Sequence, residues 1–142
     1  LTDTRNIGGK TYTTKYTYDL ADHVRSILYP SGNILTYNRD TIGRITSVNI
    51  KTKSQNIQLA NNITYNPFGP IAGFVLGNKI TNTFTYDNDY RLKGILSKGI
   101  KTNVQNLNLK YNEANNITFY NFIQKLVCLQ TPNEVIIKYI TI

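Results

Sequence analysis

Five positions in this 142-residue chain place a short acid or amide where it can bond its own backbone: Asp19, Asp40, Asn66, Asp87 and Asn112. They are separated by 21, 26, 21 and 25 residues, and three are followed four residues later by His23, Arg44 or Arg91. A short oxygen acceptor of this kind captures the N–H two residues on and holds a turn. Calcium ligation needs denser acid clusters than one residue per repeat, so these side chains read as turn caps rather than metal ligands. The other reactive groups are sparse. With one histidine, His23, and one cysteine, Cys128, a four-ligand His/Cys zinc site cannot be assembled. Cys128 sits among Leu126, Val127 and Leu129, far in sequence from His23, and reads as a small buried hydrophobe. There is no Gly-rich phosphate loop and no Ser/His/Asp set, and Asp19, Asp40 and Asp87 are already committed to turns. The chain is expected to be no enzyme and to need no cofactor or metal.

The elements that must position these caps are strands. Around each cap stands an aromatic or aliphatic residue, a spacer, a second aromatic, the cap, two variable residues, a turn residue, a residue that is often basic, and an aliphatic. The copies are Tyr16-Thr-Tyr18-Asp19 to Val24, Tyr37-Asn-Arg39-Asp40 to Ile45, Ile63-Thr-Tyr65-Asn66 to Ile71, Phe84-Thr-Tyr86-Asp87 to Leu92, and Leu109-Lys-Tyr111-Asn112 to Ile117. Residues two apart on a strand share a face, so each pair presents one half-buried surface. A period of this length marks a repeat array. The turns fit type I, with Asp or Asn first and a residue tolerant of positive φ last. On this reading Gly43 and Gly69 take positive φ, and Tyr90 makes the fourth turn the weakest because it fits that conformation poorly. A second set of turns, Pro30-Ser-Gly32-Asn33, Leu76-Gly77-Asn78 and Lys98-Gly99, leaves two strands and two turns per repeat. The fold expected is all-β, with antiparallel β-hairpin repeats forming a curved sheet. Residues 1–118 hold about five repeats, and residues 119–142 a degenerate or truncated one. Phe119 to Leu129 reads as hydrophobic but irregular; Val135, Ile137 and Tyr139 suit one more strand. The longer spacings predict insertions near Lys51 to Gln55 and Gly99 to Asn103.

Composition agrees. Tyr, Ile, Thr, Val and Phe suit a pleated surface, and Met and Trp are absent. The net charge of +8 is spread along the chain, whereas a nucleic-acid binder gathers its cations on one element, so nucleic acid is not expected as a partner. Solubility, or attraction to acidic glycans or an acidic internal cargo, accounts for the charge better. No apolar run reaches the roughly 18 residues of a membrane span. The chain opens on Leu1 already in strand pattern and is expected to be cut from a longer protein, so its own residues leave localisation unassigned.

Tyr16-Thr-Tyr18-Asp19, Asp40-Thr-Ile-Gly43-Arg44-Ile45, and Phe84-Thr-Tyr86-Asp87 with Arg91-Leu92 resemble the YD repeat of Rhs proteins. That repeat also occurs in the C component of insecticidal Tc toxins and in teneurins. Pro30-Ser-Gly32-Asn33 before Tyr37 resembles the family's linking segment. The resemblance spans about residues 12 to 118. The third and fifth copies, with Tyr65, Asn66 and Gly69, and with Tyr111 and Asn112, depart furthest from it. It implies a β-ribbon spiralling into a hollow shell whose partners are flanking repeats of the same polypeptide and an enclosed C-terminal toxin. It also implies an exported, secreted or cell-surface setting. The motif that closes Rhs shells, a toxin domain and the acidic pair of the family's autoproteolysis are not found in these residues. The alternative is a carbohydrate- or cell-surface-binding adhesion module of teneurin-like type, in which the tyrosines would stack on sugars instead of packing.

Overall fold

In this computed structural model the described residues are 1–127 apart from Phe68, and 137–141, with side chains described up to residue 122. Cys128 and Val135 therefore lie outside the described residues. Twelve strands and no helix are found among them. The chain divides into two compact units, Leu1–Thr64 with Leu76–Asn78, and Tyr65–Val75 with Lys79–Ile142. The first is built on β1 (Thr2–Ile7), β2 (Lys10–Tyr18), β3 (Val24–Leu28), β4 (Ile34–Arg39), β5 (Ile45–Lys51) and β6 (Asn56–Tyr65). The second is built on β7 (Ile71–Leu76), β8 (Thr81–Tyr86), β9 (Leu92–Lys98), β10 (Asn103–Tyr111), β11 (Ile117–Val127) and β12 (Ile137–Thr141). Within each unit the strands run antiparallel and pair in chain order.

Register converts the alternating sequence into two unlike faces. In the first unit Tyr16, Ile27, Leu35, Ile50 and Ile57 fall in one row across five strands. On the opposite face Thr17, Ser26, Thr36, Asn49 and Gln58 form the adjacent row. Hydroxyl and amide pairs cross this polar face: Thr17 and Ser26 share a 2.6 Å bond, and Asn38 donates to Ser47 Oγ at 2.8 Å. The second unit repeats the division, with Phe84, Ile95, Leu107 and Phe122 in register on one face. Phe74 packs against Phe84 with ring centroids 5.9 Å apart.

Among the described residues, the contacts between elements within each unit are those of neighbouring strands. Accordingly no hydrophobic side chain is fully buried there. The most enclosed side chains are polar: Asn82 and Ser97, 9% and 6% exposed, joined by a 2.6 Å hydrogen bond on the apolar face of the second unit.

Two expectations are corrected. Phe119 to Val127 is regular strand, part of β11, because its aromatic and aliphatic residues pair in register with β10 from Phe119 opposite Lys110 to Gln124 opposite Gln105. The longer repeat spacings do not enlarge the loops. They lengthen the hairpins, since β5 and β6 hold 7 and 10 residues against 5 and 6 in β3 and β4.

Candidate functional site

The repeat-defining residues gather into one local structure, built five times. The cap's backbone N–H donates to the carbonyl four residues on: Asp19 to His23 at 3.0 Å, Asp40 to Arg44 at 2.9 Å, Asn66 to Pro70 at 3.0 Å, Asp87 to Arg91 at 3.0 Å and Asn112 to Asn116 at 3.0 Å. The residue three on donates back to the cap's carbonyl at 3.1–3.3 Å, from Asp22, Gly43, Gly69, Tyr90 and Asn115. This is a type I turn closed by a left-handed residue, a geometry whose twist suits a hairpin. Positive φ is found at Asp22 (60), Gly43 (87), Tyr90 (60) and Asn115 (63). The φ of Gly69 depends on Phe68, which lies outside the described residues. Tyr90 adopts the conformation despite its Cβ, and its ring stands 64% exposed, free of crowding.

The caps act as the spacing implied. Oδ1 of Asp40 accepts from the N–H of Ile42 at 3.1 Å and of Arg44 at 2.9 Å. Asp19, Asp87 and Asn112 accept the equivalent pairs at 2.9–3.1 Å. The second carboxylate oxygen meets the residue four on. Arg44 Nε donates to Asp40 at 2.8 Å and Arg91 Nε to Asp87 at 2.7 Å, while the His23 ring lies 3.2 Å from Asp19. Each carboxyl is held below its ordinary 3.8. For Asp40 the Arg44 guanidinium is the main cause. For Asp19 it is the His23 N–H. For Asp87 partial burial is the largest influence and opposes the shift, but the Arg91 N–H and guanidinium together outweigh it. The third turn departs from this pattern. Pro70 has no N–H to give, and Asn66 Nδ2 instead points to the Pro70 carbonyl at 3.5 Å.

Beside four of the five turns the ladder carries a bulge. The residue before the cap pairs with the residue five after it: Tyr18 with Val24, Arg39 with Ile45, Tyr86 with Leu92, and Tyr111 with Ile117. A bulge re-aims side chains at a strand end. Here it turns the residue before the cap toward the preceding copy. Arg39 Nη2 donates to the Val24 carbonyl at 3.1 Å, Tyr86 Oη to that of Ile71 at 2.9 Å, and Tyr111 Oη to that of Leu92 at 2.7 Å. In every case the acceptor is the carbonyl five residues after the previous cap. Arg91 adds a second tie, reaching Asn115 Oδ1 at 2.6 Å while its guanidinium lies 4.8 Å from the centre of the Tyr111 ring.

The sequence pattern located the caps, Gly43, Arg44, Arg91 and the paired apolar residues Tyr16, Tyr37 and Phe84. It missed the tie, because the acceptor is a backbone carbonyl with no side-chain signature. It also gave no reason to treat Arg39 as the counterpart of Tyr86 and Tyr111. Among the described residues, no group of three His, Cys, Asp or Glu side chains is placed to hold a metal ion.

No family model matches the chain. No curated protein matches it either. Solved structures do. A crystal structure of TcdB2-TccC3-TEV aligns over 81% of this chain at a TM-score of 0.76 and 23% identity. A crystal structure of TcdB2-TccC3 aligns over 92% at 0.74 and 21%. The Tc holotoxin pore of Photorhabdus luminescens aligns over 91% at 0.73 and 20%. The fold is shared. The chain spans 6% of the length of each of those chains. At this identity the likeness concerns the strand and turn architecture.

Proposed function

We propose that the chain is a wall segment of an Rhs/YD-type shell that encloses or presents a toxin or effector polypeptide. What supports this most is the tie between copies. Three of the five turns carry an outward donor that fits the carbonyl of the copy before it, so a copy is completed by a neighbour of its own kind. Sheets without a buried hydrophobic side chain among the described residues suit a wall whose apolar face is covered in the assembled protein. The fold shared with TcdB2-TccC3 points the same way. In this reading the chain carries out no catalytic step of its own.

The test is cryo-electron microscopy of the full gene product that contains this segment. A closed shell with these strands in its wall and polypeptide density inside is the expected result. An open array displayed on a surface, with both faces in solvent, would replace the shell by the adhesion reading.

A further inference from the structure

Tyr90 is the residue of the second unit that the repeat does not explain. In the same place the other copies put Asp22, Gly43, Gly69 and Asn115, each glycine or a short acid or amide suited to a left-handed turn. Tyr90 holds φ 60 with a Cβ and a bulky ring attached. The ring returns nothing to the fold. It is 64% exposed, and its Oη has no hydrogen-bond partner among the described residues. Strained backbone of this kind collects at ligand clamps, and here it is kept for a ring without a partner.

The strain buys a place in a cleft. A hollow of about 390 Å3 lies between the third and fourth turns, and Asn66, Pro67, Phe84, Tyr86, Asp87 and Tyr90 line it. Its rings are fixed in advance. Phe84 and Tyr86 are two apart on β8 and share a face. Phe84 packs on Phe74, and Tyr86 is anchored by the 2.9 Å bond from Oη to the Ile71 carbonyl. Tyr90 is held by the 3.1 Å bond from its N–H to the Asp87 carbonyl. The one charged group of the lining is already neutralised, since Asp87 Oδ2 accepts from Arg91 at 2.7 Å. The acceptors are spent as well. Asp87 Oδ1 takes the N–H groups of Asp89 and Arg91, and the Asn66 carbonyl takes that of Gly69. Donors remain: Tyr90 Oη, and Asn66 Nδ2, which makes a 3.5 Å contact to the Pro70 carbonyl with one of its two hydrogens.

We infer that this cleft docks a proline-rich polypeptide segment in the polyproline II conformation. Such a segment makes no hydrogen bonds within itself, so its carbonyls are free to accept. Its prolines carry no N–H, so it asks for no acceptor. A cleft with donors to give, acceptors spent and fixed aromatic rings is the complement of that ligand. The pyrrolidine rings would rest on Tyr90 and Tyr86, with a carbonyl accepting from Tyr90 Oη. A cationic ligand is disfavoured twice: Asp87 is bound to Arg91, and the chain carries a net charge of +8. The inference does not depend on the shell reading.

The test uses the full 142-residue chain, isotopically labelled, in amide-shift titrations with a synthetic proline decamer. A glycine/serine decamer serves as the flexible-peptide control and a chitin hexasaccharide as the sugar control. Perturbations centred on the amides of Asn66, Tyr86, Asp87 and Tyr90 are expected with the proline decamer alone. Added salt should leave the affinity unchanged, because no free charge takes part. Tyr90→Gly should weaken binding about tenfold while its urea midpoint stays at or above that of the parent, which separates loss of the ring from loss of the fold. Tyr90→Phe should weaken it about threefold through the lost hydroxyl. No perturbation by the proline decamer, equal binding of the glycine/serine decamer, tighter binding of the chitin oligomer at the same residues, or unchanged affinity in Tyr90→Gly would each overturn the proposal. So would a lowered urea midpoint in Tyr90→Gly, since the ring would then serve the fold.

Discussion

The third and fourth turns of the repeat invert what their residues lead one to expect. Asn66-Pro67-Phe-Gly69 has the better turn chemistry, with proline and glycine at favoured positions. Asp87-Asn-Asp-Tyr90 forces a tyrosine into positive φ, at 60. Yet, among the described residues, the fourth turn is the more fully bonded. Asp87 accepts two backbone N–H groups and a guanidinium, and Arg91 goes on to Asp89 at 3.1 Å and to Asn115. In the third turn Pro70 withdraws the N–H that every other copy gives to its cap. Backbone preference and side-chain bonding are thus separate means of closing the same loop, and a copy weak in one is strong in the other.

The comparison breaks first at the caps. Asp87→Ala removes every bond made by the fourth turn's carboxylate, whereas Asn66→Ala removes, among the described residues, a long contact to the Pro70 carbonyl. Urea melts should show Asp87→Ala lowering the midpoint at least about twice as far as Asn66→Ala, since unpaired N–H groups and a lone guanidinium are left behind. Equal losses would mean that the loop backbone alone carries both turns. Acid should separate the same two turns. Asp19, Asp40 and Asp87 have folded-state pKa values below 3.8, so their contribution is present above that value and is lost as pH falls through the lowered ones. Asn66 has nothing to titrate. A variant with all three aspartates changed to asparagine should therefore lose less stability than the parent between about pH 6 and pH 3.

Smaller effects test the backbone. Gly43 has φ 87, and a Cβ there would come within 2.9 Å of the His23 ring. Gly43→Val should cost about 1 kcal/mol or more and Gly43→Asn less, because asparagine tolerates the left-handed region. His23→Ala should relieve part of the loss in both, which a thermodynamic cycle in urea would reveal as coupling. Tyr90→Gly is expected to stabilise by about 0.5–1 kcal/mol, as the exposed ring contributes little and the strained φ is relaxed. A loss of stability there would show that the Tyr90 ring has a partner in solution.

The alternation of Tyr16 with Tyr18 and of Phe84 with Tyr86, and the cap spacing, made the all-β antiparallel architecture and the turn legible in the sequence. They are local patterns, repeated. The rest depends on register, which no single strand carries. Thr17, Ser26 and Thr36 become a polar row only once three strands are aligned. Phe119 to Val127 looked irregular because it lacks a cap of its own, yet pairing with β10 makes it strand. The tie was invisible for another reason. Tyr86, Tyr111 and Arg39 share no side-chain chemistry beyond a donor at the end of a long arm, and their acceptors are main-chain carbonyls.

That tie is the centre of the account, and Tyr111→Phe tests it by deleting one atom. The ring keeps its volume and its place beneath Arg91, and only the 2.7 Å bond from Oη to the Leu92 carbonyl is lost. Urea denaturation of the parent and the variant should show a loss of about 1 kcal/mol, the net worth of one such bond. Arg39→Leu should show a comparable or larger loss, and Arg39→Tyr should recover most of it. Unchanged stability in Tyr111→Phe would contradict the claim that successive copies are held by this bond, and would leave the strand ladder alone to join them.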